Sequence, residues 1–475
     1  MKILLQKFKT FSLLSVSALF ILLGGCSRID HKQSALDPKG LVSQNQYDIF
    51  MLSVWITIFL FCAVGGCLLF VLWKYRAKSK EEAMEVPPQS HGNSKVETIL
   101  IIASTLILVI LAVPTLQGVV LMNRVPNPDN PDDLLTLTRN GLDRSSVDEA
   151  ITVNVTGKRF FWVFEYPQFG IVTSNELVFP ASKAVRVNLR TEDIIHSFWL
   201  PKLAGKMDLM PGQENFLWFI ANENDILTRF DPNGNQVTVS TDEAMPPVFN
   251  GQMRERIFAK QKFTDEFEPV GGLFYGQCAE YCGNSHAYMS FRALAQTDED
   301  FASWVKHFQD SQNPNLQPKN YNPEVKYEKD DLVYFADPEL GQSMTREFRA
   351  VSNVEEGQAP NLSKKSWEKA HSDDYEMGKQ LFSSLQCVQC HAINRTGLGS
   401  KGPNLTLFGI RTSLAAGWMR NDEENLSKWL RNSNEVKFGN LMWNGEGVDD
   451  NHPLRKLEND DEKVNKLVTY LLGLK

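Results

Sequence analysis

The chain has 475 residues, 43% of them hydrophobic, and a formal net charge of −8 at pH 7. That length exceeds one hydrophobic core and calls for two or three compact units plus extras, and the acidic balance excludes a default nucleic-acid partner and suits a basic protein instead. The seven cysteines, at 26, 62, 67, 278, 282, 387 and 390, include two close pairs in soluble regions with a His beside each, a pattern of metal and cofactor chemistry rather than a disulfide framework.

Residues 1–25 carry Lys2, Lys7 and Lys9, then an uncharged run from Thr10 to Gly25, as an export signal does. The run ends Leu23-Gly24-Gly25-Cys26, which resembles the lipobox of bacterial lipoproteins and makes Cys26 a candidate lipidation site. An ordinary signal peptide or an uncleaved anchor with an incidental Cys is the plainer alternative.

In the segment 26–123, the stretches 49–73 and 98–122 are each 25 residues long and uncharged, enough to span a bilayer core, which takes about 20. Pro114 lies inside the second and predicts a bend. Lys74, Arg76, Lys78, Lys80 and Lys95 between the spans put that connection in the cytoplasm and both outer ends outside, so the remainder is extracytoplasmic. Cys62 and Cys67 read as small lipid- or helix-facing residues. Glu97 stands at the cytoplasmic mouth of the second span, where an ionisable group is a functional candidate, although a Glu so near the surface can simply be solvated.

Asn127 to Asp148 is rich in Pro, Asp and Asn and reads as a linker. Alternation then begins with Ile151, Val153 and Val155 and returns with Val185, Val187 and Leu189, predicting an all-β sandwich over 124–310. His196 lies in one apolar strand, where a packed core His is the usual reading. The sandwich continues through Gly276-Gln-Cys-Ala-Glu-Tyr-Cys-Gly-Asn-Ser-His-Ala-Tyr-Met289. Cys278, Cys282, His286 and Met289 offer thiolate, imidazole and thioether, a soft set suited to copper electron transfer. Two thiolates on one loop can bridge two copper ions and spread one electron over both. Structural zinc wants a fourth strong ligand, which Met289 is not; a disulfide is the other alternative for an exported domain.

Residues 311–365 are polar, with prolines at 314, 318, 323, 338 and 360, and read as a tether of intermediate stiffness with some local structure. The unit 366–475 opens with a helical stretch from Asp373 and reaches Cys387-Val-Gln-Cys390-His391, the attachment motif of c-type haem. His391 is then the proximal ligand, and a downstream Met is expected as the sixth. Met419 and Met442 are the candidates; Met442 is favoured because it lies in a loop before the last helix.

The loop 276–289, the run HSFW…P…K…D…PG from His196 and the hairpin together resemble subunit II of cytochrome c oxidase. The run GPNLTLFGIRTSLAAG after the haem motif resembles the cytochrome domain fused to that subunit in caa-type haem-copper oxidases. The resemblance covers nearly the whole chain outside 222–270 and the tether. It implies a transmembrane hairpin, a cupredoxin-like sandwich and an all-α class I cytochrome c domain. It also implies a dinuclear copper A centre bridged by Cys278 and Cys282. His286 and the Glu280 carbonyl serve one copper, His196 and Met289 the other. By the same resemblance the Glu280 carboxylate reaches a magnesium ion at the interface with subunit I, and Glu97 stands at the mouth of a proton pathway. Phe160 occupies the place where the family has an electron-receiving Trp. An insertion at about 222–270, where the family has a short turn, has no role assigned by the sequence.

The expected function is that of subunit II in the bacterial inner membrane. It passes electrons from its haem to the copper pair and on to subunit I for proton-pumping reduction of dioxygen, and it is not active alone. Subunit I, other oxidase subunits and an upstream cytochrome or quinol-oxidising complex are the expected partners. A copper A type nitric oxide reductase is the principal rival, followed by a nitrous oxide reductase and a non-enzymatic copper and haem carrier.

Overall fold

The structure, a computed structural model, describes residues 33–84, 86, 92–127, 129–181, 183–221, 228–230, 236–238, 272–340, 344–394, 401–445 and 447–475. The signal-like segment 1–25, Cys26 and most of the insertion at 222–270 lie outside the described residues.

Two long apolar helices, α1 (Leu41–Lys74) and α2 (Ser94–Met122), pair as a hairpin, each long and apolar enough to cross a membrane. Asn93 caps α2 by accepting from the Lys95 and Val96 amides, and Pro114 falls inside it as expected. Cys62 and Cys67 are exposed on α1, where lipid would meet them. α1 begins eight residues before the uncharged run because its first turn belongs to the outer domain. Leu41 and Val42 are buried, the Leu41 amide donates to the Ile220 carbonyl, and Ser43 Oγ donates to the Lys202 carbonyl. At the matching end of α2, Trp218 Nε1 donates to the Leu121 carbonyl at 3.1 Å. The hairpin is thereby fastened to the domain above it.

The stretch read as a linker before that domain contains a nine-residue helix, α3 (Pro131–Arg139). Asn130 caps it, Pro131 opens it, and Asp132 and Asp133 sit in its first turn, all favourable at a helix N-terminus. Leu137 buries its side chain completely against the group that includes Leu41, Val42 and Trp218.

Two five-stranded sheets make the outer domain. Their strands are β1 (Ile151–Lys158), β2 (Phe161–Tyr166), β3 (Ile171–Ser174), β4 (Glu176–Pro180), β5 (Val185–Thr191), β6 (His196–Trp199), β7 (Lys206–Leu209) and β8 (Asn215–Phe219). The short pair β9 (Thr228–Phe230) and β10 (Gln236–Thr238) lies in the insertion, followed by β11 (Leu273–Cys278) and β12 (Ser290–Gln296). The sheet orders are β3-β2-β1-β5-β8 and β4-β12-β11-β6-β7. Both are mixed, with β1–β5 and β4–β12 running parallel. Every second residue of β1 and β5 points into the shared core, where Trp162 and Phe164 of one sheet meet Phe198 and Phe291 of the other edge-on. Helix α4 (Asp298–Gln312) closes one side with Phe301, Trp304 and Phe308.

The proline-bearing tether holds a small four-stranded sheet of β13 (Lys319–Asn320), β14 (Leu332–Ala336), β15 (Thr345–Ala350) and β16 (Trp367–Lys369). Its own core is Val333, Ala350, Val354 and Trp367. The last unit is helical: α5 (Asp373–Ser384), α6 (Glu423–Arg431), the short α7 (Leu441–Asn444) and α8 (Asp461–Leu472). α5 and α8 pack closely, with Tyr375 and Phe382 against Tyr470.

Candidate metal centre and haem-attachment site

β6 and β11 are hydrogen-bonded neighbours, with Cys278 opposite Phe198. That pairing brings His196, at the start of β6, beside Cys278, at the end of β11. Beyond Cys278 the chain turns through a loop and returns as β12, and the Cys278 amide donates to the Met289 carbonyl at 2.8 Å. Four donors from the loop and one from β6 therefore converge. Cys278 Sγ lies 3.9 Å from Cys282 Sγ and 3.9 Å from His196 Nδ1. Cys282 Sγ lies 3.6 Å from His286 Nδ1 and 3.8 Å from Met289 Sδ. The Glu280 carbonyl is 3.2 Å from Cys278 Sγ.

A disulfide is excluded at this S–S separation, since the bond is about 2.05 Å long, and both thiols are free. Donors at about 2.3 Å around one tetrahedral ion stand roughly 3.8 Å apart, the separation found here. His196 and Met289 are fully buried and Cys282 nearly so, while His286 is half-buried. The residues fit a buried soft-metal cluster, in which Cys282 touches both the terminal imidazole of the loop and its thioether.

The electrostatics of the pair are unequal. Hydrogen bonding between the thiols, opposed by burial, holds Cys278 well below the usual thiol range, helped by His196 and by the Ser197 and Glu280 backbone. The same hydrogen bond, with burial and the charge on Cys278, lifts Cys282 far above it. The apo pair thus carries one thiolate, and a bound cation is what makes the second favourable.

Two supporting residues carried no signal in the spacing of the motif. Asp193 Oδ1 lies 2.8 Å from His196 Nε2, which turns Nδ1 toward Cys278. Burial works to raise the Asp193 carboxyl, but the His196 hydrogen bond and the amides of Arg159 and Ile194 outweigh it and hold it well below the usual range. Trp162 Nε1 donates to the Met289 carbonyl at 3.4 Å, and its ring meets that of His196 edge-on.

The Glu280 carboxylate is exposed and accepts from the Tyr281 amide. Among the described residues His196, Cys278 and Cys282 gather as a group of three such metal donors, and Glu280 is not part of it. A cleft of about 880 Å³ opens between the hairpin ends and the copper-type loop, lined by Gln46, Met122, Trp199, Met207, Cys278 and His286. Glu97 stands apart, in the exposed first turn of α2, about 38 Å along the helix axis from Met122.

In the helical unit, Cys387–Gln389 forms one tight helical turn, with the Cys390 and His391 amides donating to the Cys387 carbonyl. Both thiols are free and half-buried. His391 Nδ1 lies 2.8 Å from the Pro403 carbonyl, which fixes the tautomer and leaves Nε2 for an axial bond. Burial lowers the His391 pKa, against the Pro403 contact that raises it. A Cβ at Gly402 would come within 2.8 Å of His391 Cε1, so this close approach requires glycine. The thiol pair and the oriented, half-buried imidazole fit covalent haem. Met419 and Met442 both pack against the core that Cys387 and Val388 border. Met442 belongs to α7, capped by Asn440 Oδ1, which accepts from the Trp443 amide. Trp443 is buried beneath Arg455, whose guanidinium lies 4.2 Å above its ring.

Comparison with known families agrees with this order of parts. Residues 39–117 match the transmembrane domain of cytochrome c oxidase subunit II, 170–249 its periplasmic domain, and 375–475 cytochrome c. The chain is 29% identical over 475 residues to cytochrome c oxidase subunit 2 of Bacillus sp., covering 99% of this chain and 98% of that one. It is 26% identical over 473 residues to the subunit 2 of Alkalihalophilus pseudofirmus, covering 99% of both. Quinol oxidase subunit 2 of Bacillus spizizenii matches at 25%, over 71% of this chain and 84% of that one. Two membrane-spanning helices and a periplasmic domain make this a multi-pass protein of the bacterial inner membrane with its cluster and cytochrome domains outside the cytoplasm. The chain joins transmembrane and periplasmic domains like those of bacterial cytochrome c oxidase subunit II to a C-terminal cytochrome c domain.

Proposed function

We propose that this chain is the electron-input subunit of a caa-type cytochrome c oxidase, serving a subunit I that reduces dioxygen to water with proton pumping. The observation that carries this reading is the convergence of Cys278, Cys282, His196, His286 and Met289 on one buried point beside the membrane hairpin. Cys278, Cys282, His196, His286, Met289 and the Glu280 carbonyl would together hold the copper pair. Cys387 and Cys390 would hold the haem covalently, with His391 and Met442 supplying the donors to its iron. Such groups supply one-electron carriage at small reorganisation cost; the protein positions and shields them.

The cleft between the hairpin ends and Cys278 and His286 suits contact with subunit I, because it is open, faces the membrane side and adjoins the cluster. Glu97, at the opposite end of α2, is assigned to proton entrance, and Glu280 to a magnesium whose remaining ligands come from subunit I. No group in the chain is assigned to oxygen chemistry, so activity belongs to the assembled complex. The test is gas consumption by the purified complex with a cytochrome donor. Oxygen uptake with proton release supports the oxidase; nitric oxide consumption without it supports a nitric oxide reductase.

A further inference from the structure

The loop that carries Met442 is held on both sides by side chains outside the haem-attachment motif. Asn440, buried, accepts at Oδ1 from the Trp443 amide and from Ser433 Oγ, both at 3.1 Å, and donates from Nδ2 to the Lys437 carbonyl at 2.8 Å. Asn434 Oδ1 accepts from the Gly439 amide and from Asn444 Nδ2. Further along, Arg455 lies in the short helical turn Pro453–Leu457, which Leu454 and Leu457 anchor in the cytochrome core. From there its Nη2 donates to the Trp443 carbonyl at 2.9 Å, and its guanidinium stands 4.2 Å from the centre of the Trp443 ring. Trp443, the residue directly after Met442, is thus gripped at its amide, its carbonyl and its ring.

Arg455 also differs from its neighbours in charge balance. Arg420, Lys428, Arg431, Lys463 and Lys466 of the same unit each pair with a carboxylate. Among the described residues none pairs with Arg455, which is half-buried and whose Nε is enclosed without an acceptor. Its charge is therefore not neutralised locally and acts on the groups beside Trp443 and Met442.

We propose that Arg455 is the positioning residue of the Met442 loop, and that its unneutralised charge favours the reduced haem. This rests on the function proposed above, in which Met442 is a donor to the haem iron. Reduction adds to the iron one electron, supplied by the donor cytochrome of that function, and removes one positive charge there. A fixed cation nearby opposes the ferric state more than the ferrous one. The cation–π contact and the hydrogen bond to the Trp443 carbonyl meanwhile resist opening of the loop.

The test is a redox titration and an imidazole titration of the full-length protein carrying its haem, both followed at the haem bands. Arg455→Gln should shift the equilibrium about 3- to 10-fold toward ferric, a fall in midpoint of about 30 to 60 mV. It should also bind imidazole at the ferric iron about 10-fold more tightly, because the loop opens more readily. Arg455→Lys keeps the charge but neither the planar stack nor the fork of donors, so its equilibrium should stay within about 2-fold of the unaltered protein while imidazole still binds more tightly. A midpoint that falls equally in both variants, or in neither, overturns the role of the charge. Unchanged imidazole affinity in both overturns the hold on the loop. Should Arg455→Gln take up no haem, Arg455→Lys decides alone: a lowered midpoint or an unaltered imidazole affinity overturns the proposal. In Met442→Leu the near-infrared methionine–iron band should vanish. Its persistence overturns Met442 as a donor and Arg455 with it, whereas its loss beside unresponsive Arg455 variants overturns Arg455 alone.

Discussion

Asp193 Oδ1 and His196 Nε2 stand 2.8 Å apart, three residues from one another across the turn into β6. A carboxylate on the outer nitrogen orients the ring and raises its basicity toward a metal on the inner one. Asp193→Asn is expected to fold, since the amide can still accept, but to bind copper 10- to 100-fold more weakly, as is usual when such a support is altered. Copper titration followed optically measures this; unchanged affinity would remove Asp193 from the site.

Cys282 Sγ contacts His286 Nδ1 and Met289 Sδ, whereas Cys278 Sγ contacts His196 and the Glu280 carbonyl. Under the proposed function the two sulfurs are shared by a copper pair, so removing one divides it. Cys282→Ser should lower the copper content from two ions per chain toward one, as metal analysis reads it, while the haem stays attached. Retention of two ions would argue that Cys282 is a packing residue.

Met442 and Met419 border the same core, and a ligand-binding assay separates them. Met442→Leu should leave a covalent haem that binds carbon monoxide readily when reduced, because the sixth position is open. Met419→Leu should leave it closed. The opposite pattern would exchange their roles.

Glu347 gives a pH signature to the sheet beneath the cytochrome unit. Burial works to raise its pKa, but His371, 3.3 Å away, and Lys379, 2.7 Å away, outweigh it and bring it from 4.5 to about 2. A folded-state value below the unfolded one means stability that is present above pH 4.5 and lost as pH falls toward 2. The contribution is on the order of 3 kcal/mol. Glu347→Gln should lower the melting temperature at pH 6 and converge with the unaltered protein near pH 2. A difference constant across that range would contradict the assignment.

The chemistry was legible because it is local in sequence. Cys278, Cys282, His286 and Met289 lie on one loop, and Cys387, Cys390 and His391 on one turn, so spacing alone groups them. His196 joins them only through strand pairing, and its membership came from resemblance to a family. Asn130, Pro131 and Asp132 form the helix start of α3, but Pro and Asn are equally turn residues, so composition alone reads this stretch as a linker. The local structure expected in the tether is a sheet at 319–369, whose form the sequence does not display because strands as short as β13 and β16 show no periodicity. The burial of Glu176, Thr412 and Lys437 is not legible, since these are ordinary polar residues until tertiary packing encloses them.

Electron paramagnetic resonance of the full-length protein loaded with haem and copper reads whether Cys278 and Cys282 hold a copper pair. The expected signal is the hyperfine pattern of one electron shared equally by two copper nuclei, beside a c-type haem absorption. The pattern of a single copper nucleus, or zinc retained in place of copper, would contradict it.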